Sequence, residues 1–217
     1  KHGKFPYRDF AEQLSGISLF LRILELNPIF DLEIERMLTT LRRAMLQDTT
    51  ENETEVEVLS FSIALTHNSF TNEYVFAETK EEKEAVETLE KQITALVENG
   101  QDVPSPFIVT LGAYRSLVHF PWAQKLSEQE WEDSVRSIIT RQITEPLEER
   151  SLRDQIPSIT PIQNVISQLV RAQYEENPYP RWVKTGIVYK SRSLDSVLKG
   201  PPLLFDLGDY TPPESPE

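Results

Sequence analysis

The stretch "HNSFTNEYVFAET", residues 67 to 79, crowds together side chains capable of proton chemistry. His67, Glu73 and Tyr74 could serve as an acid/base cluster if a helical cleft gathered them, with Asn72 beside them as a hydrogen-bonding group. One histidine with one nearby carboxylate is too few for a metal site, which usually takes three or four protein ligands. The plainer expectation is a polar turn between helices, in which Asn68 and Asn72 bond backbone groups. His2 and His119 have no obvious partner, and "HFPW" at 119 to 122 reads as an aromatic turn of the core.

A second dense stretch is "RAQYEENPYPRW", residues 171 to 182. Asn177 precedes Pro178 and is biased away from helical dihedrals, so a helix should end near Glu175 or Glu176. Pro178 and Pro180 hold the following residues extended, projecting Tyr179, Arg181 and Trp182 at low entropic cost. Tyr179 and Trp182 either pack onto the preceding helix and fix the chain's exit, or dock on a neighbouring domain, where Trp and Arg are strong anchors. "NPYP" superficially resembles the Asn-Pro-Pro-Tyr signature of amino-methylating enzymes. That signature follows a buried strand, whereas this one follows a helix with a Pro and the Tyr transposed.

The chain contains no GxGxxG or GxxxxGK[ST] loop, no HExxH and no GxSxG. It has no cysteine, which removes disulfides, thiolate ligands and cysteine nucleophiles and fits a cytoplasmic protein. A net charge of −13 disfavours nucleic acid as a partner. No apolar run approaches the length of a membrane span. Residues 73 to 98 carry eight Glu against three Lys, while Tyr179 to Gly200 carries five Lys or Arg against Asp195 alone. These are two solvated faces of opposite sign, or a basic strip that meets an anionic partner or the chain's own acidic helix.

The elements that must position these groups read as helices. There are seven glycines and many apolar i, i+3, i+4 patterns. Asp31 can cap a helix burying Ile34, Met37, Leu38, Leu41 and Met45 and ending near Arg42-Arg43, where cations suit the dipole. Residues 80 to 98 repeat the pattern with Val86, Leu89, Ile93 and Leu96, stopping at Asn99-Gly100. Ser127 with Glu130 has the form of a capping box ahead of Trp131, Val135, Ile138 and Ile139. Thr160-Pro161 should open a helix with Ile162, Val165, Ile166, Leu169 and Val170 inward. Residues 7 to 26 and 105 to 118 are also expected to be helical, and Glu148-Glu149 should lie on a solvated face. "ETEVEVLSFSIALTH" alternates at first, but it lacks a strand to pair with and is assigned as a helix buried on more than one side.

Several stretches resemble bacterial proteins that join tetratricopeptide repeats to a class I S-adenosylmethionine-dependent methyltransferase domain. They are "DLEIERMLTTLRRAML", "FTNEYVFAET", "RQITEPLEERSLRDQIPSITPI" and "IPSITPIQNVISQLVRAQYEENPYPRW", which together cover most of positions 30 to 182. The resemblance is most specific at Asn177 to Trp182. It implies a helical region upstream of a methyltransferase fold whose Gly-rich cofactor loop would follow "PPESPE". The S-adenosylmethionine (SAM) would then belong to the parent protein, and no cofactor-contacting residue of that core lies in this chain.

The expected architecture is all-α: an irregular multi-helix body over residues 1 to 176, then a Pro/aromatic elbow and extended Pro-rich connector over 177 to 217. The expected role is a non-catalytic accessory region that positions a protein substrate or regulates the adjoining methyltransferase domain. The alternatives are a scaffold, oligomerisation or protein-binding domain, and an enzyme using His67, Glu73 and Tyr74.

Overall fold

A computed structural model describes residues 6–52, 58–153, 155, 164–176, 183, 193–201, 203–206 and 208. The elbow from Asn177 to Trp182 lies outside the described residues, as do Thr160-Pro161 and most of the basic strip. The chain divides into two compact units, Lys1–Val183 and Lys184–Glu217. Among the described residues every regular element is helical, as expected.

In the first unit the order is α1 (Tyr7–Ser15), α2 (Ser18–Leu26), α3 (Leu32–Asn52), α4 (Ser60–Thr71), α5 (Lys80–Glu98) and α6 (Ser105–Gly112). A 3₁₀ turn (Leu117–His119) leads to α7 (Ala123–Glu128) and α8 (Asp133–Ile139). A π-helical segment, Thr140–Thr144, joins α8 to α9 (Glu145–Arg153), and α10 (Val165–Glu176) follows. The second unit holds α11 (Leu194–Lys199), where the Ser193 hydroxyl accepts from the Ser196 amide and Lys199 pairs with Asp195 at 2.6 Å.

The centre of the first unit is α4. It packs against α1, α2, α6 and α8, and all residues from Phe61 to Thr71 are buried. An apolar-rich helix without a polar face belongs in a core, so its hydroxyls must find partners there. They do so largely on backbone. Ser69 donates to Leu65 O and Thr71 to His67 O, while Thr66 Oγ1 lies within 2.9 Å of both Ser62 O and Val109 O. At the other end the Ser15 hydroxyl of α1 accepts from the Phe61 amide, one of the N-terminal donors that α4 cannot satisfy itself.

Asp31 caps α3 as its sequence position suggests, accepting from the Glu33 and Ile34 amides at 3.0 Å. Leu38, Leu41 and Met45 are buried, but Met37 is exposed and Ile34 only half-buried. The helix does not end at Arg42-Arg43. It runs on to Asn52, and Arg42 is completely buried. The Ser127–Glu130 capping box is also absent. Ser127 sits inside α7 and donates to Gln124 O, and α8 starts only at Asp133. The Trp131 indole donates to Leu126 O at 2.7 Å, and this buried bond holds the chain between the two helices in its turn.

Helix α5 opens with a capping box. The Thr79 hydroxyl accepts from the Glu82 amide, and the Glu82 carboxylate accepts from the Thr79 amide at 2.9 Å. Thr79→Ala is expected to cost about 1 kcal/mol in urea unfolding, the usual loss for an N-cap hydroxyl. Gly100 ends the helix at φ +67°, a conformation that a side chain would strain.

The expected helix over residues 7 to 26 divides at Gly16, and that over 105 to 118 gives way to a turn after Gly112. Trp122 is buried, stacks on Phe120 at 4.5 Å and donates to Thr94 Oγ1, so "HFPW" is the aromatic turn its composition suggests. Glu148 and Glu149 are exposed.

Helix α10 departs from expectation in its burial. Among the described residues it begins at Val165, with the Asn164 side chain accepting from the Ile166 and Ser167 amides. Its apolar stripe faces solvent rather than core: Val165, Ile166, Leu169, Val170 and Tyr174 are 45–71% exposed.

Candidate functional site

Two polar clusters and one apolar groove carry the candidate chemistry. The first cluster forms where α4 ends beside the π segment. A π turn inserts one residue into the helical ladder and swings its side chains off the regular pattern. Here it aims Arg141 and Gln142 at the ends of other elements. Gln142 is fully buried and bonds in three directions. Its Nε2 donates to Gly112 O at 3.0 Å, and its Oε1 lies 3.2 Å from the Tyr74 hydroxyl and 3.4 Å from the Leu117 amide. Arg141 donates to Glu25 O at 2.8 Å and to the Thr71 hydroxyl at 2.6 Å. Asn68 Nδ2 donates to Leu24 O and Asn27 O. Arg141 and Asn68 therefore satisfy the last carbonyls of α2, which have no acceptor role left inside that helix.

His67 is buried at the same layer. Its Nε2 lies 2.9 Å from Ser137 Oγ, and Ser137 itself donates to Ser134 O at 2.6 Å. With its proton committed to Ser134, the hydroxyl can only accept, so the imidazole carries its proton on Nε2. The bare Nδ1 has no partner. Burial, with a smaller push from the Arg141 charge, lowers the imidazole to about 3.

The expected trio is thus divided in its bonding. His67 leads to Ser137, whereas Tyr74 leads to Gln142. Asn72 closes α4 as its C-cap residue, with its amide donating to Asn68 O. Glu73 and Tyr74 adopt left-handed backbone, φ 52° and 57°, which turns the chain sharply out of α4. His67 to Thr71 are therefore the buried end of α4 rather than part of a turn; the turn is Asn72 to Tyr74, and of the two asparagines Asn68 bonds backbone through its side chain.

The second cluster centres on Arg42. Its guanidinium lies 4.1 Å from the Tyr114 ring centroid and 5.2 Å from that of Phe76. It donates to Ala77 O at 3.2 Å, with longer contacts to Phe76 O and Ala113 O, while Nε has no partner. Burial lowers the affinity of this guanidinium for its proton. Around it, Glu82 accepts from the Tyr114 hydroxyl at 2.9 Å and from Arg43 at 3.0 Å, and Arg115 grips Glu78 through two bonds of 2.6 and 2.9 Å. Burial by itself raises the Glu82 carboxyl. The bonds from the Thr79 amide, Tyr114 and Arg43 outweigh it and hold the carboxyl below its ordinary value. Burial pushes the Tyr114 hydroxyl well up, and the bond to Glu78 raises Arg115.

Neither cluster is arranged as a metal centre, and among the described residues no group of three or more His, Asp or Glu is placed to hold an ion. No described helix is long and apolar enough to cross a membrane.

Among the described residues a groove of about 620 Å³ lies open between α1 and α3. Phe10, Leu14, Ile17, Met37 and Leu41 line it, with Glu33 and Arg36 also at its walls. Phe10 and Ile17 remain about half exposed.

Sequence reasoning missed Arg42, Gln142 and the groove. Arg42 carried a signal: it lies four residues after Leu38, in phase with the buried stripe of α3. Gln142 carried none, because its partners are 25 to 68 residues away.

Comparison with known proteins finds no matching protein family, no matching curated protein and no matching solved structure.

Proposed function

We propose that this chain is a non-catalytic helical interaction module: the accessory, substrate-positioning region of a bacterial, cytoplasmic SAM-dependent methyltransferase-like protein. The observation that supports the non-catalytic reading is where its reactive side chains are bonded. His67, Asn68, Arg141 and Gln142 hold helix ends and turns together, while apolar side chains such as Ile166 and Leu169 stay exposed. An acid or base in catalysis must reach a proton on substrate, and a buried imidazole held near 3 is a poor base partner for that task at neutral pH. Exposed apolar patches rimmed by polar residues instead mark interaction sites.

The methyltransferase context rests on the resemblance of Asn177 to Trp182 and the helical stretches before it. In this role Tyr179 and Trp182 clamp the adjoining catalytic domain, and SAM binds that domain and not this chain. Replacing both residues with Ala in the protein joined to its methyltransferase domain is expected to lower methylation or SAM affinity about tenfold, the scale of losing one aromatic anchor. Normal folding with unchanged activity would remove the clamp. Titration calorimetry of this chain alone should show no SAM binding, and a saturable heat would make it a cofactor-binding domain.

The scaffold reading is favoured by a separate observation, the solvent-facing stripe of α10. It is compatible with an accessory role, because a positioning module can also bring two copies together.

A further inference from the structure

The end of α5 carries a dipeptide with chemistry of its own. Of the chain's seven asparagines, Asn99 alone precedes a glycine. An asparagine carboxamide can be attacked by the backbone nitrogen of the next residue, and glycine permits this best because it has no Cβ to block the approach. Asn99 is exposed, its carboxamide bonds no described residue, and a Cβ on Gly100 would meet nothing within 4 Å. The same residues close the helix. The Asn99 amide donates to Ala95 O at 3.1 Å, the Gly100 amide to Val97 O at 3.2 Å and the Gln101 amide to Leu96 O at 2.9 Å. In that closed form the Gly100 nitrogen holds its proton in a hydrogen bond, so an attack needs the last turn to open. Helix ends lie at the low end of a protein's range of opening free energies. The last turn of α5 also has no basic residue and sets Glu98 beside the cap, so charge disfavours the closed end.

We propose that Asn99 is a modification site at which the folded chain deamidates through a cyclic imide. With the last turn open, the Gly100 amide gives its proton to hydroxide and its nitrogen bonds to Asn99 Cγ. The Cγ–Nδ2 bond then breaks, and ammonia leaves after taking a proton from water. Water adds to one of the two ring carbonyls and opens the ring to aspartate or to isoaspartate. The balance is asparagine plus water to aspartate plus ammonium, with no oxidant, reductant or cofactor.

The product alters the joint between α5 and α6. Isoaspartate runs the backbone through the former side chain and adds one methylene to the connection after α5. That connection is short and held at its far side, where the Val103 amide donates to Gln129 Oε1 and Gln129 Nε2 donates to Val103 O, both at 3.2 Å. Either product also places a new negative charge at the C-terminal end of a helix, where it is unfavourable. Deamidation therefore loosens this joint, whatever the chain's partner.

The test ages the folded chain at mildly alkaline pH and follows every asparagine by peptide mass spectrometry, with chromatography to separate aspartate from isoaspartate. The expected result is conversion at Asn99 ahead of the other asparagines. It should run about ten- to a hundredfold slower than in the same chain unfolded in urea, the scale of opening one helix end. The rate should rise with pH, because the Gly100 amide must lose its proton. Asn99→Gln should abolish the signal at this position, since the longer side chain closes its ring far more slowly. The isoaspartate form should melt below Asn99→Gln aged in the same way. A folded chain that keeps Asn99 intact while the urea-unfolded chain converts would overturn the proposal, as would another asparagine reacting first. An isoaspartate form that melts with the unmodified chain would overturn the loosened joint.

Discussion

Arg42→Ala is expected to destabilise the helical unit by about 3–5 kcal/mol, the range for truncating a large, fully buried side chain. The guanidinium fills the space between the Phe76 and Tyr114 rings and donates to the turn at Ala77. Truncation empties that space and leaves a buried carbonyl short of its donor, while Glu82 and Glu78 keep their pairs with Arg43 and Arg115. Lysine should rescue only part of the loss. Its ammonium is a compact point charge and cannot stack as a plane between two rings while reaching carbonyls beyond them. The check is urea unfolding followed by circular dichroism. A fall in midpoint with an unchanged m value indicates lost stability rather than a changed denatured state. A loss under 1 kcal/mol for Arg42→Ala would mean that the cage is not what joins α3 to the turn after α4.

The second large effect is acid sensitivity through His67. Its folded-state value is held down at about 3, against about 6.5 in an unfolded chain. Between those values the unfolded chain binds a proton that the folded chain does not, so stability rises with pH. The stabilisation is fully present above about 6.5 and is lost as pH falls toward 3, with a limiting slope of about 1.4 kcal/mol per pH unit and a total of up to about 5 kcal/mol. Arg141 adds to the effect because its charge also opposes an imidazolium. Glu82 acts in the same direction at lower pH, since its carboxyl is held below its ordinary value. Replacing His67 with Gln keeps a donor for Ser137 Oγ and removes the titration. The variant should lose the part of the pH slope between about pH 4 and 6.5 while retaining the acid loss due to carboxylates. Parallel stability profiles for the two proteins would show that His67 titrates alike in the folded and unfolded states.

These expectations draw on features that differ in how openly the sequence displays them. The helices are legible because apolar periodicity is a local signal: Leu38, Leu41 and Met45 mark α3, and Val86, Leu89 and Ile93 mark α5. Asp31 is legible for the same reason, since a cap bonds amides two and three residues ahead. The end of α3 misleads because Arg42-Arg43 looks like a cation pair placed against a helix C-terminus. In the fold Arg42 instead satisfies carbonyls 34 to 71 residues away. Ser127 and Glu130 misled in a similar way: a cap has meaning only where the helix begins, and the buried Trp131 indole sets the chain path there. The α10 stripe has the period of a buried face, but period alone does not say which surface covers it.

The candidate site divides along the same line. "HNSFTNEYVFAET" is legible as a turn only from Asn72 to Tyr74, because His67 to Thr71 close α4 and Asn68 bonds carbonyls 41 and 44 residues away. The partners that fix this region, Ser137 of α8 and Arg141 and Gln142 of the π segment, lie about 70 residues on. A one-residue insertion into a helix leaves no periodic trace, so nothing local announces that Arg141 and Gln142 turn inward.

The central claim is that His67 belongs to a buried structural layer and not to an accessible acid/base site. Its most direct test is a nitrogen NMR titration of the His67 ring in the folded protein. The account predicts a neutral ring protonated on Nε2 at pH 7 that stays neutral to about pH 4, with Nδ1 showing the shift of an unprotonated nitrogen. A ring that titrates near 6.5 in the folded protein, or one protonated on Nδ1, would contradict it.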